Sequence, residues 1–590
     1  MDEAGGLRRR LVRGLGRMPW WGAGLLGALC VAMGLVLLVR PFRSLVVLLV
    51  VVAVAAAVMG VTAVAEAGRP PRRWVGLSAG VLWLVLAVVV VAVPALSLGL
   101  LSVLVGAALV GEGILSIIGA LRERSDARTA AVLQSVAGIV LGVLALVWPD
   151  VTLLVVAVVF GAKTVLFGCS TFLAAVRRAR GVPAAERSRK RARWVRTTGA
   201  ALSLLLAVTL ALVSAVAHRG EPSVTAFYTP PPGLPERPGQ LLRSEAFDRD
   251  APAGAVGWRI LYTTTRDDGR PAVASGIVLA PRGGEGARPV VAWAHGTTGV
   301  DTTCAPSLLK RPFAAGALPA LDGVVKAGWA LVATDYVGLG TEGPHPYLIG
   351  QGEARSVLDA VRAARQLDQA DLSDKTVVWG HSQGGHAALW AGQIAASYAP
   401  DVPLAGVAAL APASDLTTLV SNLDTVPGGA IFASYVFTGY RDHYPEVTAA
   451  EYLRPAARVL VREWEGRCLA EPEVFVSIAS SLLIDKPIFS RSPVTGAFGT
   501  RLQENTPRGR IPVPVLIAQG ETDQLVLPAV QRAYAEAACA AGNRVDYRTY
   551  PGLDHTGVVG EGSPLPPQLL AWTADRFQGR PAPTTCPGRS

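Results

Sequence analysis

Two patterns of polarity divide the chain. Residues 18–217 are long unbroken runs of Val, Leu, Ala and Gly, whereas the remainder alternates short apolar runs with polar turns. The first part holds seven apolar segments, 20–39, 43–65, 74–93, 97–120, 130–148, 151–175 and 197–217. Each is close to the roughly 20 residues that cross a bilayer as a helix. Surface helices of a soluble protein keep a polar face; successive segments that are apolar all round predict membrane spans. The first is followed at once by more spans, so it does not read as a cleaved signal.

Charge sets the expected orientation. The amino terminus (Arg8, Arg9, Arg10, Arg13, Arg17) and the loops 66–73, 121–129 and 176–196 are basic, and the alternate connections are short. Basic loops stay cytoplasmic, which places everything after Ala217 outside the cell membrane. Arg40 and Arg43 in the first short turn mildly oppose this, but the run from Arg177 to Arg196 outweighs them. Pro41, Pro94 and Pro149 recur at nearly equal spacing, each ending one span and opening a tight turn. That predicts three helical hairpins of one design plus a seventh span. Glu112 and Lys163 are ionisable residues inside spans; a paired or snorkelling role is the simpler reading, because nothing near them suggests chemistry. The repeats resemble a small-membrane-protein family associated with acid resistance in enteric bacteria. The resemblance covers about residues 18–177 and implies a fold rather than a mechanism.

Residues 218–245 are proline-rich, from Tyr228-Thr-Pro-Pro-Pro to Pro238-Gly239, and read as an extended linker or as an arm laid on the next domain. Residues 246–582 then carry the strand and helix alternation of an α/β-hydrolase. Val256–Thr264 and Ala272–Leu279 read as a hairpin. Buried strands are expected at Arg288–Ala294, Gly328–Thr334, Lys375–Trp379, Pro403–Leu410, Ile511–Ala518 and Val545–Tyr550, with helices at Glu353–Leu367, Ala387–Ala396 and Leu527–Ala541. Between about 416 and 509 the alternation stops. Helical, aromatic-rich sequence there, including Phe432, Tyr435 and Tyr440, is too long for a simple crossover and predicts a helical cap over the site.

The chemistry is expected at strand ends. Gly380-His381-Ser382-Gln383-Gly384 is a G-x-S-x-G pentapeptide between an apolar run and a small-residue helix, the setting that raises a serine hydroxyl above a sheet. In this fold the order is nucleophile, acid, histidine. Asp523 follows the strand at Ile511–Ala518 and is favoured as the acid over its neighbour Glu521; Asp335 precedes the serine and does not fit the order. His555 follows both and is the expected general base. His381 and His386 are too near Ser382 in sequence and are expected to pack under the turn. The Gln383 N–H and, from the Gly-rich strand end His295-Gly296-Thr297, the Thr297 N–H are the expected oxyanion donors; a purely structural turn is the plain alternative for the second. His295 itself reads as structural. No metal-ligand spacing and no cofactor motif accompanies these residues, so the expected reaction is metal-free acyl transfer through an acyl-enzyme.

At 590 residues more than one folding unit is expected. The net charge of +11 sits in clusters flanking apolar segments, which argues against a nucleic-acid footprint. Cys30 and Cys169 lie in spans; Cys304, Cys468, Cys539 and Cys586 lie in the part assigned to the exterior, where disulfides form. Four cysteines allow three pairings, and spacing does not choose among them.

Residues 222–580 resemble the secretory lipase family of fungi and actinobacteria. The resemblance rests on Tyr228–Pro238 with Leu241-Leu242-Arg243, His295-Gly296-Thr297 through Cys304–Ser307, Asp335-Tyr336 with Gly338, Gly380–Gly384, Gly520–Asp523 and Asp554-His555. It implies an α/β-hydrolase with a helical lid and triacylglycerol lipase activity. By that family's pattern Cys304 pairs with Cys468 and Cys539 with Cys586, and Thr297 contributes to the oxyanion site. The membrane half departs from a simply secreted enzyme and favours a substrate met at the membrane surface, such as an envelope lipid ester; an anchor that only retains the enzyme is the alternative. The expectation is a membrane-anchored, extracytoplasmic lipase or carboxylesterase. The alternatives are an acyltransferase on envelope lipids and a membrane stress or interaction protein whose hydrolase half is inactive.

Overall fold

The computed structural model describes residues 19–39, 128–147, 168–180 and 189–217 of the first half, isolated positions between them, and 222–587 apart from 284–285, 483 and 485–486. The chain divides into two units, one of residues 1–217 grouped with 455–460 and 482–486, the other of the remaining residues.

In the first unit the longest described helices are α1 (Trp20–Val39), α2 (Arg128–Val147) and α3 (Arg189–Ala217). Among the described residues, α2 is the helix long and apolar enough to cross a membrane; Trp20–Leu35 and Thr197–Leu212 are shorter apolar runs. Helix α3 starts inside the basic run expected as a loop, because Arg and Lys are good helix formers. Leu25 and Leu29 on α1 and Leu202, Leu205, Leu206 and Leu212 on α3 are exposed. Polar side chains on these helices bond back one turn: Ser135 Oγ to the Ala131 carbonyl at 2.7 Å, Ser203 Oγ to Gly199 at 2.9 Å and Thr209 Oγ1 to Leu205 at 2.9 Å. The expected spans at 43–65, 74–93, 97–120 and 151–175, the three proline turns, Glu112 and Lys163 lie wholly or mainly outside the described residues.

The second unit is built on a nine-stranded sheet, counted among the described residues, in the order β1-β2-β3-β5-β4-β6-β7-β8-β9. Its strands are β1 (Leu241–Ala246), β2 (Ala255–Thr265), β3 (Pro271–Pro281), β4 (Arg288–Ala294), β5 (Ala330–Thr334), β6 (Leu372–His381), β7 (Leu404–Leu410), β8 (Val515–Gly520) and β9 (Val545–Tyr550). Strands β1 to β3 form an antiparallel meander, β3 pairs antiparallel with β5, and from β5 to β9 every pair is parallel. The hairpin and the buried strands fall where the apolar runs place them. Leu241–Ala246, expected as the end of the arm, instead forms the edge strand, its backbone satisfied by β2.

Alternation along the strands splits the core between two faces. Val290, Ala292 and Ala294 of β4 pack with Ala354 and Val357 of α4 (Gly350–Ala364) and with Ala387 and Ala391 of α5 (Gln383–Tyr398). Val291 and Trp293 face the other way, in one cluster with Leu565, Leu569 and Trp572. Both faces are covered, which is why these strands read as unbroken apolar runs. The arm lies on the domain from Ala226 onward. Tyr228 is buried, its hydroxyl 2.7 Å from Ser307 Oγ, and Arg243 donates to the Ala226 and Phe227 carbonyls at 2.9 and 2.7 Å.

Between β7 and β8 come α6 (Leu416–Asn422), α7 (Gly429–His443), α8 (Ala457–Glu465), α9 (Val474–Leu482) and α10 (Gly496–Glu504), then after β8 α11 (Pro528–Ala540) and after β9 α12 (Leu565–Phe577). The segment 416–509 is thus helical as its composition suggests. A disulfide joins Cys304 to Cys468 and a second joins Cys539 to Cys586, the pairing implied by the family resemblance. The first ties the helical segment after β7 to the loop after β4, and the Leu469 N–H donates to the Thr298 carbonyl at 2.8 Å.

Candidate active site

Parallel strands align their carboxyl ends on one edge, and the sequence-predicted residues follow those ends. Ser382 comes directly after β6. Its φ of 57° and ψ of −116° lie where a residue with a Cβ is strained. Three hydrogen bonds hold it there: its N–H to the Leu410 carbonyl, and its own carbonyl to the N–H groups of His386 and Ala413. The flanking glycines are required by close approach. A Cβ on Gly380 would run into the Gly384 carbonyl, and one on Gly384 into that of Ala294. Two backbones therefore pass where side chains would separate them, and Ser382 Oγ is lifted clear of the sheet.

The loops after β8 and β9 are joined by the Glu521 N–H to Tyr550 and the Thr522 N–H to Leu553, each 3.0 Å. This brings Asp523 and His555 together. His555 Nδ1 lies 2.7 Å from Asp523 Oδ2, and His555 Nε2 lies 2.8 Å from Ser382 Oγ. An ionised carboxylate only accepts, so Nδ1 carries the proton and Nε2 is free to accept from the serine. Asp523 Oδ1 accepts the N–H groups of Leu525 and Val526, both at 2.9 Å, and Oδ2 also accepts from Gln519 Nε2 at 2.9 Å. Burial pushes this carboxyl upward, but the hydrogen bond and charge of His555, with the Val526 and Gln519 donors, outweigh it and hold its pKa below the usual value.

The rival residues sit elsewhere. Asp335 is buried among Ser275 Oγ at 2.6 Å and the Ser307 N–H and Oγ at 2.9 and 2.5 Å, an anchor beneath the arm. Glu521 is exposed, and Asp554 Oδ1 accepts from the Gly557 N–H at 2.7 Å. His381 Nε2 meets the His555 carbonyl at 2.9 Å and so steadies the histidine loop. Burial, then repulsion from His555, lowers the His381 pKa to about 3; burial lowers His295 to about 4 and His345 to about 3. Such groups are poor bases at neutral pH, where a base needs a pKa near the working value. Among the described histidines, His555 is the one hydrogen-bonded to Ser382 Oγ.

Thr297, Ser382 and Gln383 line one cavity, together with Leu419, Phe432 and Val436 of the segment between β7 and β8. Gln383 opens α5, so its N–H is one of the donors a helix start leaves unpaired. Thr297 Oγ1 lies 2.8 Å from the Tyr347 hydroxyl.

Sequence reading missed the support beneath these donors. Glu353, fully buried in the first turn of α4, accepts from the Leu348 N–H at 3.0 Å and Gln383 Nε2 at 2.8 Å through Oε1, and meets His386 Nδ1 at 2.8 Å through Oε2. Gln383 Nε2 is also 3.0 Å from His345 Nε2, and His386 Nε2 faces the Asn505 carbonyl at 2.8 Å. A glutamate in a helix's first turn reads as a surface residue favoured by the helix dipole, and no local pattern reveals partners far along the chain. Removing the carboxylate leaves the buried Leu348 N–H, Gln383 Nε2 and His386 Nδ1 without their partner, so Glu353→Ala is expected to cost about 3–5 kcal/mol of stability. Denaturant unfolding of the full chain in detergent, followed by tryptophan fluorescence, measures it. The exposed control Glu342→Ala should stay within about 0.5 kcal/mol of wild type.

The parallel sheet, the strained serine turn and the helical insertion after β7 define a lipase-like α/β-hydrolase fold in the second half of the chain. Comparison with known proteins narrows the class. Residues 318–585 carry a secretory lipase domain by the match to that family's profile. Three stretches of the first half, 25–90, 78–140 and 133–212, match a short repeat of unknown function, in line with the three-fold repetition of the proline turns. A Mycobacterium tuberculosis protein named as a probable inactive lipase is 29% identical over 393 residues, 61% of this chain and 83% of its own. A secreted triacylglycerol lipase of Malassezia globosa is 25% identical over 408 residues, 63% of this chain and 82% of its own. The closed state of Candida antarctica lipase A shares the fold, with a TM-score of 0.52 at 20% identity over 61% of this chain and 87% of that one.

Proposed function

We propose that the chain is a membrane-anchored serine lipase or carboxylesterase. Ser382 attacks an ester carbonyl, His555 accepts its proton and passes it to the leaving alcohol, and Asp523 orients and stabilises the imidazolium. The N–H groups of Gln383 and Thr297 receive the developing oxyanion. Water, activated by His555, then cleaves the acyl-enzyme. The observation that carries the reading is the unbroken series from Ser382 Oγ through both nitrogens of His555 to Asp523, at 2.8 and 2.7 Å. The secretory lipase domain supports an ester as the substrate. The test is turnover of p-nitrophenyl and glycerol esters by the full chain in detergent, compared with Ser382→Ala.

The mycobacterial relative named as probably inactive gives weight to a second reading, in which the hydrolase half has no turnover; the same assay separates the two. Lipid-linked acyl products in place of free acid would assign the chain as an acyltransferase instead.

The seven-span reading places the hydrolase half outside the cell membrane. It is supported by the outward leucines of α1 and α3, the length of α2 and the two disulfides. A tag after Ser590 is therefore expected to be reached by an impermeant protease in intact cells; protection until the membrane is opened would reverse the orientation.

A further inference from the structure

The space at Ser382 is too small for an ester with any length of chain. Its cavity encloses about 20 Å³, room for little more than one water molecule. Ligand pockets are usually roughly 300–1,000 Å³. Behind the wall formed by Leu419 and Val526 lies a second cavity of about 10 Å³, bounded by Thr418 and Leu419 of α6 on one side and by Leu525, Val526 and Val530 on the other. This one shares Ser414, Asp415, Thr418 and Val530 with a third, outer groove of about 700 Å³. The groove's floor is the small apolar face of α11, Ala529, Ala533 and Ala537, with Asp415 and Arg508 among its polar positions.

Three spaces thus adjoin in series from the nucleophile to the surface: the inner two share the apolar Ala413, Leu419, Leu525 and Val526, and the outer two share Val530 beside the polar Ser414, Asp415 and Thr418. The two sides of the seam are pinned at the ends of α6. Asn422 Nδ2 donates to the Gln524 and Leu525 carbonyls at 2.7 and 3.3 Å, and Ser414 Oγ, just before the helix, donates to Gln531 Oε1 of α11 at 3.1 Å. Opening therefore falls to side-chain rotation of Leu419, Val526, Thr418 and Val530 between fixed ends, a motion of picoseconds to nanoseconds when unhindered. Passage by this route does not require the cap to lift.

Resting on the ester-hydrolase reading above, we propose that the acyl chain of a long-chain ester runs from Ser382 through the seam between α6 and residues 525–530 and lies on α11 in the outer groove. Val530, at the junction of seam and groove, then sets the chain length accepted. The apolar wall shared by the inner cavities, continued by Val530 and the alanines of α11, suits an alkyl chain, and the groove has the volume that the Ser382 cavity lacks.

The experiment measures kcat/KM of the full chain in detergent for p-nitrophenyl butyrate and palmitate, in wild type, Val530→Trp and Val530→Ala. Filling the passage should lower the palmitate-to-butyrate ratio by about tenfold or more, and widening it should raise the ratio. An unchanged ratio in Val530→Trp overturns the route while leaving the hydrolase reading intact. If that variant loses butyrate turnover as well, Val530→Ala decides, and a ratio at or below wild type overturns the route. Wild type inactive on both esters overturns the hydrolase reading and the route together.

Discussion

Ester turnover is expected to fall by about 10⁶-fold in kcat when Ser382 is replaced by alanine. The expectation follows from the division of labour at the site. Without Oγ no acyl-enzyme forms, and His555 has nothing to deprotonate along the path its 2.8 Å contact defines. What survives is the contribution of oxyanion donors and substrate positioning, roughly 10³–10⁴ over water. The change removes one oxygen from a partly exposed turn, so folding should be kept; the Leu410, His386 and Ala413 contacts that hold the turn are made by the Ser382 backbone. The check is burst and steady-state kinetics on p-nitrophenyl esters. Wild-type-like turnover in Ser382→Ala would assign the activity to another group.

The second large effect belongs to Asp523→Asn, expected to lower kcat by about 10⁴-fold. An amide nitrogen placed toward His555 Nδ1 donates where the carboxylate accepts, which favours the tautomer with its proton on Nε2, facing the serine. That nitrogen can then no longer take the serine proton. Glu521→Gln and Asp554→Asn should leave kcat near wild type, since neither carboxylate is bonded to His555. The same carboxylate links to stability. Its folded pKa lies below its unfolded value of roughly 3.9. The stability it contributes is therefore present at neutral and mildly acid pH, and it is lost as pH falls through the folded value. Asp523→Asn should flatten that part of the acid-unfolding curve, measured by fluorescence between neutral and strongly acid pH.

Much of the fold was legible because the sheet is buried on both faces. Val290–Ala294, Val377–Trp379 and Val515–Ala518 had to be apolar without interruption, and such runs survive as a signal without any knowledge of their neighbours. Ser382, Asp523 and His555 were legible for a related reason: each follows a strand end, and the order of the three along the chain is fixed by the fold. The disulfide pairing was not readable from spacing; it came from family resemblance, because Cys304 and Cys468 are 164 residues apart. Glu353, His345 and Asn505 were invisible for the same physical reason. Their roles arise from contacts between segments that only the tertiary fold brings together. The edge strand Leu241–Ala246 was hidden differently. Half-exposed and next to prolines, it looks like linker, and only the hairpin beside it supplies the ladder that makes it a strand.

The probable inactivity ascribed to one relative makes nucleophilicity at Ser382 the point on which the account turns. The most direct measurement is treatment of the full chain with a fluorophosphonate, followed by mass spectrometry of the peptide containing Gly380–Gly384. A single adduct on Ser382, lost on prior heat denaturation and much slower in Asp523→Asn, is the result the account predicts. A native, folded chain that leaves Ser382 unlabelled while a control serine hydrolase is modified would contradict it.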